Sequence, residues 1–242
     1  MYKKLSILIL PIYLLFGSTK INVGNTGNYI IDNSNKEFLL IEVSIDHINL
    51  DPININNEEY SLITLENSYP STKVGEPQLP YLNNLIEIPH NASLRIEIIN
   101  DEIQEFDLSN YNIYNQIVPV QSSISKSSDL QNIIFIKDLD IYQNNIFYKN
   151  PLIDIEIKGF IRQVQIANLM VSPIEYNPLE NKIILHKNIK FKLHFDNADF
   201  DLTNIKKNED FSPYFEQIYQ SSLNNYASPA PLIRNNDFLN NF

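Results

Sequence analysis

Four histidines, His47, His90, His186 and His194, are the side chains best suited to proton transfer near neutral pH. A nucleophilic mechanism would place one of them beside a hydroxyl or thiol, with a third group orienting the ring. The 242 residues contain no cysteine, which excludes a cysteine nucleophile, a disulfide and a zinc–thiolate site within them. No histidine stands in a nucleophile-elbow or zincin spacing, so ordinary structural or surface roles are expected for all four. Asp196, Asp199 and Asp201 are close enough in sequence to collect a calcium ion, but they lack the alternating spacing and turn glycine of an EF-hand. They read as solvated loop acids. Asp154 and Glu156 share one face of a strand pattern and read as its wet face rather than as an acid–base pair. Arg162 and Glu175 are expected in structural pairing or at an interface. Lys126 is the only charge between Gln121 and Ser128 in a serine-rich loop.

The elements that would carry these residues are mostly strands. Ile189, Phe191, Leu193 and Phe195 alternate with Lys190, Lys192 and His194, the period of a strand with one buried face. Upstream, Val164, Ile166, Leu169, Val171 and Ile174 form a longer apolar run closed by Pro173. With a connection at 175–181, the stretch 159–195 predicts adjacent strands of one antiparallel sheet. Strands are also expected from Glu37 to Leu50, around 60–65, and over 130–136, 141–148 and 152–158. Leu94, Ile96 and Ile98 predict a strand paired with 103–108 across a turn at 100–102. Pro77, Pro80 and Pro89 predict an extended loop or sheet edge around Gly75, not a central strand. Residues 196–210 read as a charged loop. Ser212 as N-cap and Pro213 at the first helical position predict a helix over 213–225.

A basic start at Lys3 and Lys4, an apolar run from Leu5 to Phe16 and small residues at Gly17 to Thr19 predict an export signal over 1–19. That run is too short to span a bilayer, so no stable membrane span is expected in the mature chain. Residues 20–36 read as a leader or linker, 37–200 as the β-domain, 201–226 as a connecting segment with the helix, and 227–242 as a linker. An apolar fraction of 43% supports a real core, while a net charge of −11 and only three arginines argue against a nucleic-acid partner. The fold class expected is mostly β: an antiparallel, jelly-roll-like β-sandwich with one short C-terminal helix.

Three stretches in order carry a family resemblance: Gly75, Pro77, Leu79 and Pro80; Gly159, Arg162, Pro173, Tyr176, Asn177 and Pro178; and Phe215, Tyr219, Asn225 and Tyr226. Together they resemble the N-terminal propeptide of gingipain-type C25 cysteine peptidases. The resemblance implies a β-sandwich prodomain, needing no cofactor, that caps and inhibits a caspase-like cysteine peptidase domain, in cis or in trans, and assists its folding. The catalytic His and Cys of that peptidase would lie outside this cysteine-free chain. It also implies an inhibitory loop, for which Lys126 is the candidate: a basic side chain entering an acidic specificity pocket. An exported adhesin or carbohydrate-binding sandwich is the alternative, and it predicts aromatics exposed on one sheet face or in end loops.

Overall fold

Alternating Ile, Leu and Phe place most of the chain in antiparallel strands whose apolar sides must find one another. The structure, a computed structural model, describes residues 17–123 and 134–231. Its strands are β1 (Thr19–Asn22), β2 (Asn28–Asp32), β3 (Phe38–Ser44), β4 (His47–Ile55), β5 (Glu58–Thr64) and β6 (Ser68–Pro70). They continue as β7 (Pro80–Ile88), β8 (Ser93–Asp107), β9 (Ile153–Ile161), β10 (Val164–Val171), β11 (Ile174–Asn177) and β12 (Lys182–Asp196). The helices are α1 (Leu139–Tyr142), α2 (Phe200–Glu209) and α3 (Pro213–Ser222). Among the described residues no helix is long and apolar enough to cross a membrane.

β12 organises one sheet. It takes β8 along one edge for its whole length; β11 and then β3 occupy the other, with β2 beyond β3. A second sheet runs β6-β7-β10-β9, and β1-β4-β5 form a third. Ile41, Phe191 and Leu193 from the first, Ile86, Ala167 and Leu169 from the second, and Ile48 from the third are fully buried in one continuous core. The mostly β, antiparallel class is the expected one; among the described residues there are three α-helices and a short 3-10 turn, Leu108–Tyr111, where one helix was expected.

Several local expectations change. The segment 20–36 is not a free leader: Ile21 on β1 is 1% exposed, and β2 pairs with β3. The stretch 159–195 divides between two sheets, because β10 pairs with β7 and β9 whereas β11 and β12 pair with each other. The chain changes sheets at Ser172 and Pro173, where the Ser172 N–H donates to Leu152 O and the Pro173 carbonyl accepts from His186 N–H. β8 is a single strand, not a hairpin. Its pairing with β12 shifts register at Ile99 and again at Lys187, and between these two bulges the stretch 100–102, expected as a turn, continues the strand. Pro80 opens a strand that lies inside its sheet, between β6 and β10, and a strand's first position is where a missing N–H is tolerated. The supposed strand 141–148 holds the end of α1 and a loop, since Asp138 caps that helix by accepting from Asp140 and Ile141 N–H. The supposed strand 130–136 lies largely outside the described residues. The charged stretch after Phe195 contains α2, capped by Asp199 and closed by Lys206 and Lys207 in its last turn.

Candidate functional site

The G-x-P-x-L-P stretch builds a clamp. Gly75 donates its N–H to Val120 O and accepts at its carbonyl from Asp138 N–H, both at 2.9 Å. It therefore joins the two chain segments that flank 124–133, which lie outside the described residues together with Lys126. A second brace is the Gln121 side chain: its Nε2 donates to Ile136 O at 2.8 Å and its Oε1 accepts from Ile136 N–H at 2.9 Å. Only glycine suits position 75. Its φ is +88°, and a Cβ there would stand 3.3 Å from Ile136 Cγ2 and 3.4 Å from Asp138 N. The ladder continues as Val120 N–H to Glu76 O and Gln78 N–H to Val118 O, with Pro77 bridging Pro119 and Leu79 1% exposed. The sequence flagged Gly75, but Gln121 was missed, because a glutamine that mimics a strand leaves no local pattern.

The Tyr176–Asn177–Pro178 turn supports the same segment from below. Tyr176 is fully buried; its hydroxyl accepts from Ile117 N–H at 3.1 Å and donates to Asn181 Oδ1 at 3.0 Å. Burial pushes that hydroxyl's pKa far up, so it stays a neutral donor. Tyr142 completes the bracket by donating to Ile117 O at 2.7 Å. Asn177 Oδ1 accepts from Leu179 and Glu180 N–H, and Pro178 O accepts from Gln116 Nε2 at 3.0 Å. Lys137 reaches back to Gln116 Oε1 at 2.8 Å and sits over the Tyr142 ring at 4.6 Å. Burial lowers its pKa, with Glu58 opposing. Tyr148 bonds Glu76. These groups hold the two segments that flank 124–133 against the sandwich.

Gly159, at φ +114°, lies beside the β9–β10 bulge, and Arg162, at φ +56°, sits in the two-residue turn that follows. The Arg162 guanidinium forks onto Asp210 and lies over the Phe215 ring at 4.8 Å, tying this hairpin to the junction of α2 and α3. Structural pairing of Arg162 is therefore observed. Glu175 pairs with Lys149 at 3.0 Å and lies 3.3 Å from His186 Nε2.

The closing helix is fastened by a buried clasp. Lys207 Nζ donates to both Glu87 oxygens, at 2.8 and 3.0 Å, and to Ala227 O at 2.5 Å; the two side chains are 6% and 9% exposed. Burial raises the Glu87 carboxyl above its ordinary range, while Lys207 pulls it back. Asn225 exchanges two hydrogen bonds with the Glu87 backbone, at 2.7 and 2.9 Å, as an added strand residue would. Tyr219 donates to Ile161 O at 3.0 Å. Tyr226 donates to Glu216 Oε2 at 2.9 Å, with Lys207 over its ring at 4.2 Å.

The polar clusters take ordinary parts. His186 Nδ1 meets Asp101 at 2.8 Å and His194 Nε2 meets Glu97 at 2.7 Å, so carboxylates of β8, not nucleophiles, face them. Asp196 bonds Arg95 and Asp199 caps α2, so the acids after Phe195 do not converge.

Comparison with known proteins agrees with this geometry. The Propeptide_C25 family model matches residues 23–228. Lys-gingipain of Porphyromonas gingivalis (strain ATCC 33277) is 26% identical over 219 residues, 90% of this chain; the match spans 13% of that relative's length. A structure described as giving insight into the zymogenic latency of gingipain K from Porphyromonas gingivalis superposes with a TM-score of 0.71 at 23% identity, covering 75% of this chain and 100% of that one. A complex of Porphyromonas gingivalis RgpB pro- and mature domains gives 0.64 at 16% identity, over 82% and 98%. The motifs, their collinear order and the matched span show that the chain belongs to the Propeptide_C25 family.

Proposed function

We propose that this chain is the exported prodomain of a C25-type cysteine endopeptidase precursor, holding the enzyme inactive and assisting its folding. The observation that carries this reading is the clamp of Gly75 and Gln121, which fixes both stems of the Lys126 loop on the matched propeptide fold. Anchor points fixed at 120–121 and 136–138 limit how much of the chain around Lys126 would have to be ordered on binding. In the RgpB complex, pro- and mature domains are bound together; here a caspase-like peptidase domain, supplying the His and Cys, is the corresponding partner in cis or in trans. Lys126 enters its acidic specificity pocket. Residues 1–19 direct export, to the periplasm, cell surface or medium, and 227–242 lead toward the peptidase.

Titration of the purified chain into a gingipain-like peptidase tests this. Near-stoichiometric inhibition is expected, and Lys126→Ala should weaken it by about 30-fold, the loss of roughly 2 kcal/mol from one buried charge contact. Absence of inhibition at micromolar concentration would overturn the prodomain reading. Unchanged inhibition by Lys126→Ala would remove that residue from it.

A further inference from the structure

Ala227, Ser228, Ala230 and Pro231 are exposed, small or proline, and outside any helix or strand, the character of a segment that proteases nick readily. Exposure alone does not decide that outcome, because a protease binds an extended stretch and first has to lift it from the body. Here the stretch is bonded at nearly every step. β6 pairs only with Pro80–Leu82, so β7 beyond Leu82 has no strand on the side away from β10, and residues 224 and 225 take that place. The Asn224 N–H donates to Leu85 O at 3.0 Å, and the Asn225 side-chain amide bonds both the N–H and the carbonyl of Glu87. Asn225 O accepts from Asn33 Nδ2 at 3.2 Å, Ala227 O from Lys207 Nζ, and Ser228 Oγ from Gln220 Nε2 at 3.0 Å. At the far end, Asn204 treats Ala230 as Asn225 treats Glu87. Its Oδ1 accepts from the Ala230 N–H at 2.7 Å and its Nδ2 donates to Ala230 O at 3.3 Å, while Asn208 Nδ2 donates to that same oxygen at 2.9 Å.

Two side-chain amides therefore stand in for strand partners, one fastening the start of the segment and one its end. The anchoring groups come from the β2–β3 turn, β7, α2 and α3. Lifting residues 226–228 into a protease means breaking anchors on both sides at once, which fraying from one end does not achieve. We infer that residues 224–230 form a strap that shields its own peptide bonds from proteolysis, so that a cut separating this domain from a chain that follows it falls beyond Ala230. The shielding stands without the prodomain reading; its consequence for a following peptidase rests on that reading.

The full chain and a synthetic peptide of residues 220–232 are digested with proteinase K and with chymotrypsin, and the products are read by mass spectrometry. The peptide reports how fast the Tyr226–Ala227 and Ala227–Ser228 bonds are cut when nothing holds them, with Pro229 in place. In the full chain these bonds should be cut at least about 100-fold more slowly, since several hydrogen bonds must open together and each lowers the open population by about fivefold. The surviving core should end at or beyond Ala230. In Asn204→Ala/Asn208→Ala the same two bonds should be cut about tenfold faster than in the wild type, and the core should shorten to end between Leu223 and Ser228. Alanine favours the helix at both positions, so the melting temperature should stay within about two degrees and global unfolding is not the cause. Wild-type bonds cut as fast as in the peptide, a wild-type core ending before Ala230, or a double variant cut no faster than the wild type would overturn the strap. Neither digest contains a gingipain-like peptidase, so failure of the strap and failure of the prodomain reading are read separately.

Discussion

The edge strand β8 and the C-terminal clasp both fasten an element to a sheet through charges, in opposite surroundings. Along β8, five cross-strand pairs face β12: Arg95–Asp196, Glu97–His194, Asp101–His186, Glu102–Lys187 and Glu105–Lys182. They stand on a strand whose Ile98 and Ile103 are 52% and 60% exposed. At the clasp a single pair, Glu87–Lys207, is buried and surrounded by Asn225, Tyr226 and the Ala227 carbonyl. Apart from Asp101–His186, whose histidine side chain is 11% exposed, these pairs are open to solvent, screened and individually weak, so the ladder sets register and keeps an edge soluble. A buried pair adds little over an apolar substitute, yet leaving one partner alone is severe. The clasp therefore acts as a condition for closing the fold, and the ladder as a guide.

Breaking the clasp has the largest expected effect. Lys207→Ala strands the Glu87 carboxylate and should cost about 3–5 kcal/mol, measured as a drop in the denaturation midpoint. The double variant Glu87→Leu/Lys207→Met should recover most of that loss; if it is as unstable as the single variant, charge pairing is not what the clasp contributes. Gly75→Ala comes next, at about 1–2 kcal/mol for a left-handed position with a crowded Cβ. If the clamp serves the loop, inhibition of the peptidase should fall more than stability does. The smallest change comes from the ladder. Glu97→Gln should move the melting temperature by no more than about two degrees, because the pair is exposed.

Acid separates the two regions. Glu97, Glu102 and Asp196 have pKa values held low, chiefly by hydrogen bonds from His194, Asn188 and Arg95. Their contribution is present above the ordinary carboxylate values of 3.8–4.5 and is lost as pH falls through the lowered folded ones. Glu87 has the opposite sign, because burial makes the folded state bind its proton more tightly than the unfolded chain does. Hydrogen exchange at decreasing pH should show β8 and β12 amides losing protection before those of α3. Simultaneous loss would show that the ladder does not hold β8.

Much of the architecture was legible because periodicity and burial agree. The alternation in β12 and β9 and the Ser212–Pro213 start of α3 appear where spacing placed them. α2 was hidden because its inward side carries Thr203 and Lys207, polar residues satisfied by His90 N–H and Glu87, so no apolar stripe announced it. β8 was divided in two because Asn100–Asp101–Glu102 looks like a turn when its partners, Lys187, Asn188 and His186 on β12, are unknown.

By itself, the sequence determined the strand-rich class, the absence of any cysteine chemistry and the collinear motifs of a propeptide, because composition and short-range order need no partner to be read. Only the tertiary structure decided which strands are neighbours, that Gly75 and Gln121 tie together the two segments flanking 124–133, and that Lys207 meets Glu87 in a buried pair. Those properties depend on contacts between residues far apart in the chain, where no local pattern records which polar group meets which.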